Sequence, residues 1–178
     1  MKKKIIYSLI LAVILAIYFF GWQKKETVIT EPRKTDIVVK EEYIPDPNAP
    51  KFEDYPISER FNGTPVAPDF KTNPEAKRYY TRITEGSKGN PGFAGGYFVF
   101  IYGCGFGCQY NTIVSAKTGK IIAYNIESNR GSKYNSDSRL FIVNPPEELY
   151  DSYGNDIPSY VSTQYYYLSE DGSELIRL

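Results

Sequence analysis

The chain of 178 residues contains no histidine. That absence removes the Ser-His-Asp and Cys-His nucleophile systems, His-ligated metals and the usual general base at neutral pH. Cysteine is nearly absent too: there are two, with three residues between them. An excess of basic charge is also missing. Setting aside Lys2, Lys3 and Lys4, 18 of the 21 basic residues remain against 21 acidic ones, a net of −3. Such a balance supplies no field for a phosphate backbone, which argues against nucleic-acid binding. No internal repeat is visible, and nothing identifies a cofactor or a metal site.

What the chain has in quantity is aromatic side chains, 16% of residues, with 17 tyrosines. Tyrosine and phenylalanine favour strands. Several of them fall in Gly92–Gln109, G-F-A-G-G-Y-F-V-F-I-Y-G-C-G-F-G-C-Q, an apolar strand fenced by glycines that runs into both cysteines.

Lys2–Lys4 precede Ile5–Trp22, a run of roughly 18 mainly apolar residues, just long enough to span a bilayer as a helix. The run ends in Tyr18-Phe19-Phe20-Gly21-Trp22, where a signal peptidase would require small residues. Aromatics at that position suit a membrane–water interface. The expectation is a single-pass anchor in a bacterial inner membrane, residues 1–22, with the C-terminal part outside the cytoplasm, in the periplasm. Residues 23–60 read as a Pro-rich linker. Pro45, Pro47 and Pro50 exclude helix there, and within a strand they would lack ladder donors. Thr27–Val39 has β-branched character but is assigned to the linker as well.

Residues 61–178 read as one α+β domain: an amphipathic helix, then an antiparallel β-meander of five or six strands. Either Thr72 with Glu75, or Asn73 with Pro74, marks the helix start. Ala76, Tyr79, Tyr80 and Ile83 form its apolar stripe and Gly86 its end. Strands are expected at Tyr97–Tyr102, Tyr110–Ala116, Ile121–Asn125 and Ser138–Val143, with a last hairpin of Val161–Leu168 and Glu174–Leu178 across Asp171-Gly172. Glu147–Tyr153 reads as one helical turn. Tyr97–Tyr102 is apolar on both faces, so the expectation is a central strand hydrogen-bonded along both edges.

Cys104 and Cys108 read as a structural disulfide. An even pair at short range in an oxidising compartment pairs, and the intervening glycines permit the tight turn. The spacing is not that of a redox-active C-x-x-C, and zinc would need further ligands from Asp or Glu alone. Asp137 and Arg139, at i and i+2, would share a strand face and either pair or hold a ligand carboxylate. Tyr166, in Tyr165-Tyr166-Tyr167, would contribute to an aromatic platform for a glycan or peptide, or pack in the core.

The motifs Phe93-Ala94-Gly95-Gly96-Tyr97, Gly103–Cys108, Thr118-Gly119-Lys120 and Asp137-Ser138-Arg139-Leu140 resemble those of an uncharacterised family of bacterial exported proteins. The resemblance covers roughly residues 60–178. Similar proteins often carry His where this chain has Gly96. It implies compartment and fold, and no activity.

Two functions are compatible with these residues. One is a membrane-anchored, extracytoplasmic module that binds an envelope protein or glycan without catalysis. The other is a hydrolase of envelope material using two carboxylates, drawn from residues such as Asp137, Glu147 and Glu148, the acid–base chemistry still open to a chain without histidine.

Overall fold

The structure, a computed structural model, describes residues 42–178. The anchor expected at Ile5–Trp22 and the β-branched segment Thr27–Val39 lie outside the described residues. Among the described residues no helix is long and apolar enough to cross a membrane.

The described chain is a single compact unit, and its secondary structure is α+β with two antiparallel sheets. A 3₁₀ turn at Phe52–Asp54 comes first. The strap that follows is not free chain. Pro56 bridges Ser138, Ile57 N–H donates to Asp137 O (3.3 Å), and Arg139 N–H donates to Tyr55 O (2.7 Å). Pro56 cannot donate to a ladder, yet the chain around it can still pair with the domain through its other backbone groups.

A second 3₁₀ segment, Pro74–Tyr79, leads into α1, Tyr80–Gly86. Asn73 precedes it with Pro74 in the first position. The Thr72 hydroxyl is engaged elsewhere, donating to Asp69 O (2.6 Å) and accepting from Ile121 N–H (3.0 Å). The change of helix type explains why the expected stripe is only partly buried. A 3₁₀ segment repeats every three residues, which aligns Ala76 with Tyr79 and turns Tyr80 out to 56% exposure, while Ile83 is fully buried.

β1 (Tyr97–Gly105), β2 (Cys108–Ser115) and β3 (Ile121–Ser128) form the first sheet, in that order. β4 (Ser132–Lys133), β5 (Leu140–Val143), β6 (Gln164–Leu168) and β7 (Leu175–Arg177) form the second, with α2 (Pro146–Tyr153) between β5 and β6. The single meander expected from the sequence is therefore two sheets of three and four strands. The break falls in the polar stretch after β3. There the buried Asn144 side chain accepts the N–H groups of Asn129 (2.7 Å) and Arg130 (2.9 Å), and Gly131 turns at φ 77°. This corner redirects the chain into a second layer.

β1 is an edge strand, with β2 in the centre, which corrects the expectation for Tyr97–Tyr102. Both of its faces are indeed covered. Phe98, Phe100 and Tyr102 pack with Ala76, Ile83, Val114 and Ile121 on the helix side. Tyr97 and Val99 pack on the other side in a second core that includes Phe93, Ile113, Phe141, Val143 and Leu168. Side-chain alternation reports faces, whereas edges are set by backbone pairing, to which the pattern is blind. At its start the free edge of β1 is closed by its own lead-in, where Phe93 and Tyr97 exchange backbone hydrogen bonds of 3.0 and 2.9 Å. The layers are thus helix, first sheet, second sheet, with one core on each side of the first sheet.

Candidate functional site

Three chain segments meet to wall a cleft of about 410 Å³: the strap at residues 57–63, the turn Ala94–Tyr97 and the tip of the β6–β7 hairpin, residues 168–172. Each wall follows from local sequence. Gly172, at φ 69°, takes the left-handed conformation required by the Asp-Gly turn. A Cβ there would stand 1.9 Å from Tyr97 Oη, so only glycine lets the hairpin approach β1 closely enough for Tyr97 Oη to donate to Gly172 O at 3.1 Å. At Gly96, a Cβ would stand 2.9 Å from the Cβ of Phe61, so any side chain there must displace the strap.

The cleft carries both signs of charge: Arg60, Lys117 and Arg139 against Glu59, Glu170 and Asp171. Arg139 is its fixed point. Its side chain is 17% exposed, Nε donates to Pro56 O (3.1 Å), Nη1 donates to Leu168 O (2.8 Å), and Nη2 stands 4.0 Å from Glu170. The guanidinium therefore ties the strap to the second sheet and presents only its remaining edge to the cleft. Asp171 is held down to about 2 by the Ser169 hydroxyl (2.6 Å) and the Ser173 N–H (3.0 Å), so it is an acceptor at neutral pH with no proton to give.

Of the three residues singled out for ligand contact, the structure brings only Arg139 to the cleft. Asp137 is exposed and pairs with Arg60, a surface pair of the kind worth at most about 1 kcal/mol. Neither Asp137 nor Arg139 lies within β5, which starts at Leu140, so the i, i+2 argument has no strand to act on. Tyr166 packs against the second core, with its hydroxyl donating to Gln164 Oε1 at 2.7 Å. Glu147 sits at the start of α2, away from the cleft walls. Its partial burial opposes ionisation, but the hydrogen bond and charge of Lys133 outweigh that and leave the carboxyl below its usual range. Asp137, Glu147 and Glu148 do not line the cleft.

Cys104 and Cys108 lie at disulfide distance, with Cα atoms 5.2 Å apart. The hairpin is tighter than the expected loop. β1 and β2 run as far as Gly105 opposite Cys108, and Cys104 is the extra residue of a bulge between Gly103 and Gly105. The crosslink spans that bulge, beneath a fully exposed Phe106. So small a loop constrains the unfolded chain little. Replacing both cysteines by serine is expected to lower the thermal midpoint by only a few degrees. Thiol titration of the wild-type protein under denaturing conditions should detect no free thiol; two reactive thiols would contradict the pairing.

A second hollow, of about 470 Å³, opens beside this hairpin. Its wall includes Tyr102, whose hydroxyl shares a 2.6 Å hydrogen bond with Thr112 and donates to Asn125 at 2.9 Å. Burial pushes the Tyr102 phenol up to about 12, with the Thr112 hydrogen bond pulling weakly the other way. A folded-state value above the unfolded one makes the neutral phenol stabilising below about pH 10, and this contribution is lost as pH rises from there toward 12. Absorbance titrations of the wild-type protein and of Tyr102→Phe should differ by one tyrosine that ionises well above pH 10. Tyr102→Phe should flatten the alkaline fall in stability over that window; an unchanged profile would place the cause elsewhere.

No protein-family model matches the chain, and neither does any curated protein or solved structure. The residues that sequence reasoning missed are those of the strap, Ile57–Gly63, and of the hairpin tip, Ser169–Gly172. The signals that could have found them were glycine signals: the Gly95-Gly96 pair and Asp171-Gly172 are the points of close approach that bring distant segments together.

Proposed function

We propose that the chain is a membrane-anchored extracytoplasmic binding module whose cleft takes a polar segment of envelope material, a glycan or an envelope protein. The observation that carries this reading is the cleft itself. It is walled by three separate segments and lined by both signs of charge. One of its basic groups is fixed by backbone carbonyls, and Asp171 is held ionised. Such a lining offers many hydrogen bonds to a polar ligand. Anchoring in the bacterial inner membrane, with residues 42–178 in the periplasm, rests on Lys2–Lys4, on the apolar run Ile5–Trp22 and on a cysteine pair suited to an oxidising compartment.

The test uses the full chain in uncharged detergent micelles, incubated with insoluble envelope material. Retention on the pellet is expected, and Ser58→Trp, which places a large side chain at the exposed mouth of the cleft, should abolish it with folding intact. Release of new reducing ends or amines from the material would sink the binding reading and favour the two-carboxylate hydrolase. A soluble mature form beginning after residue 22 would remove the anchor.

A further inference from the structure

The hollow beside the cysteine hairpin shares no residue with the cleft. It is lined by Arg82 from α1, by Gly103, Gly105, Gly107 and Gln109 of the hairpin, and by Asn129 and Arg130 from the corner after β3, together with Ile101, Tyr102 and Cys108. Two features set it apart. Its lining includes two arginines and no acid. Neither arginine makes an ion pair among the described residues.

Arg130 is held in place from beneath. Its guanidinium lies 4.7 Å above the ring of Tyr153, Nη1 donates to Asn129 O (3.0 Å), and the backbone N–H is fixed by Asn144. Its Nε is buried and has no hydrogen-bond partner among the described residues, so the donors of this guanidinium are incompletely used within the chain. Leaving a buried donor unmade is costly. Arg82 lines the same hollow from an exposed position on α1. Asn129 is oriented by donating from its side chain to Gly107 O (3.2 Å), which couples the corner to the hairpin tip.

We infer that this hollow is a binding site for a phosphate group, with Arg82 and Arg130 as its two charged clamps and the amides of Gln109 and Asn129 as secondary donors or acceptors. Two guanidinium groups in a lining that holds no carboxylate match the charge of a phosphate monoester, roughly −1.5 to −2 at neutral pH, and the planar fork of arginine suits its oxygens. The glycines leave the backbone uncovered, so a bulky oxyanion can approach. The hollow is larger than a bare ion requires, which favours a phosphate carried on a small molecule. The crosslink between Cys104 and Cys108 holds the wall that faces Arg130.

The test is calorimetric titration of the full oxidised chain in uncharged micelles with two probes, inorganic phosphate and glycerol phosphate, each at constant ionic strength. Saturable binding of one equivalent by either probe supports the site, and the ratio of the two affinities distinguishes the free ion from an ester as its source. Arg82→Gln and Arg130→Gln should each weaken binding by at least about tenfold, while Arg60→Gln, in the other cleft, should leave it unchanged. Should Arg130→Gln fail to fold because Asn129 and Tyr153 lose their partner, Arg82→Gln decides alone, since its side chain is exposed. The double Cys→Ser chain should bind more weakly while remaining folded. No saturable heat with either probe, or binding that survives Arg82→Gln, overturns the proposal.

Discussion

Phe93→Ala should cost about 3–5 kcal/mol and leave the domain close to unfolding at room temperature. Phe93 is fully buried, and its ring is 5.5 Å from Phe141, 6.0 Å from Tyr134 and 6.2 Å from Tyr97, edge-on to each. Those partners belong to both layers: Tyr97 opens the first sheet, and Phe141 lies in the second. The residue is also fixed through its backbone, which is bonded to Tyr97 on one side, while Ala94 N–H donates to Asn135 O at 3.1 Å on the other. The surroundings cannot collapse into the space, so the cost of the cavity adds to the lost transfer energy. With total stabilities of about 5–15 kcal/mol for such domains, denaturant unfolding should show a midpoint displaced by about a fifth or more. Phe93→Leu should recover most of it. A loss near 1 kcal/mol would mean that the two sheets do not share one cooperative core.

The second large effect is expected at Gly119, where Ala should cost about 3 kcal/mol, roughly 10 °C in thermal midpoint. The residue has φ 73°, in the turn between β2 and β3, and a Cβ there would stand 2.2 Å from Ala67 O. Two penalties combine: the left-handed backbone and a collision with main chain that cannot rotate away. They can be separated. Asn tolerates the left-handed region better than Ala, yet it carries the same Cβ. Gly119→Asn as damaging as Gly119→Ala identifies the contact with residue 67 as the greater penalty; a recovery with Asn identifies backbone strain. Asp69 N–H donates to Gly119 O at 2.8 Å, so displacement of this turn should also be felt by the segment leading to α1.

What could be read from the residues followed the physics that writes them there. The alternation of Tyr97–Tyr102 located a strand and both of its buried faces, and Asp171-Gly172 located the last turn. The register of β1 against β2, and hence its place at an edge, depends on pairings with Gln109–Ser115 that no local pattern encodes. The strap around Pro56 escaped notice for a related reason: its anchors, Ser138 and Arg139, lie about eighty residues away. Arg139 was singled out on a strand that begins one residue later, and its guanidinium serves two backbone carbonyls. Arg130 had no sequence signature at all, because its surroundings are assembled by the buried Asn144 and by Tyr153 from another element.

The edge position of β1 bears on how the protein behaves at high concentration. An unpaired strand edge is a template on which a second chain can polymerise. Here the template is nearly cancelled. The Phe93–Tyr97 bridge occupies one end, and the bulge between Gly103 and Gly105, locked by the cysteines, twists the other away. Alternation of the ladder then leaves the outward backbone groups of little more than Val99 and Ile101. A stretch of that length is too short to seed cross-chain growth, so the crosslink at the tip protects solubility even where it adds little to folding stability.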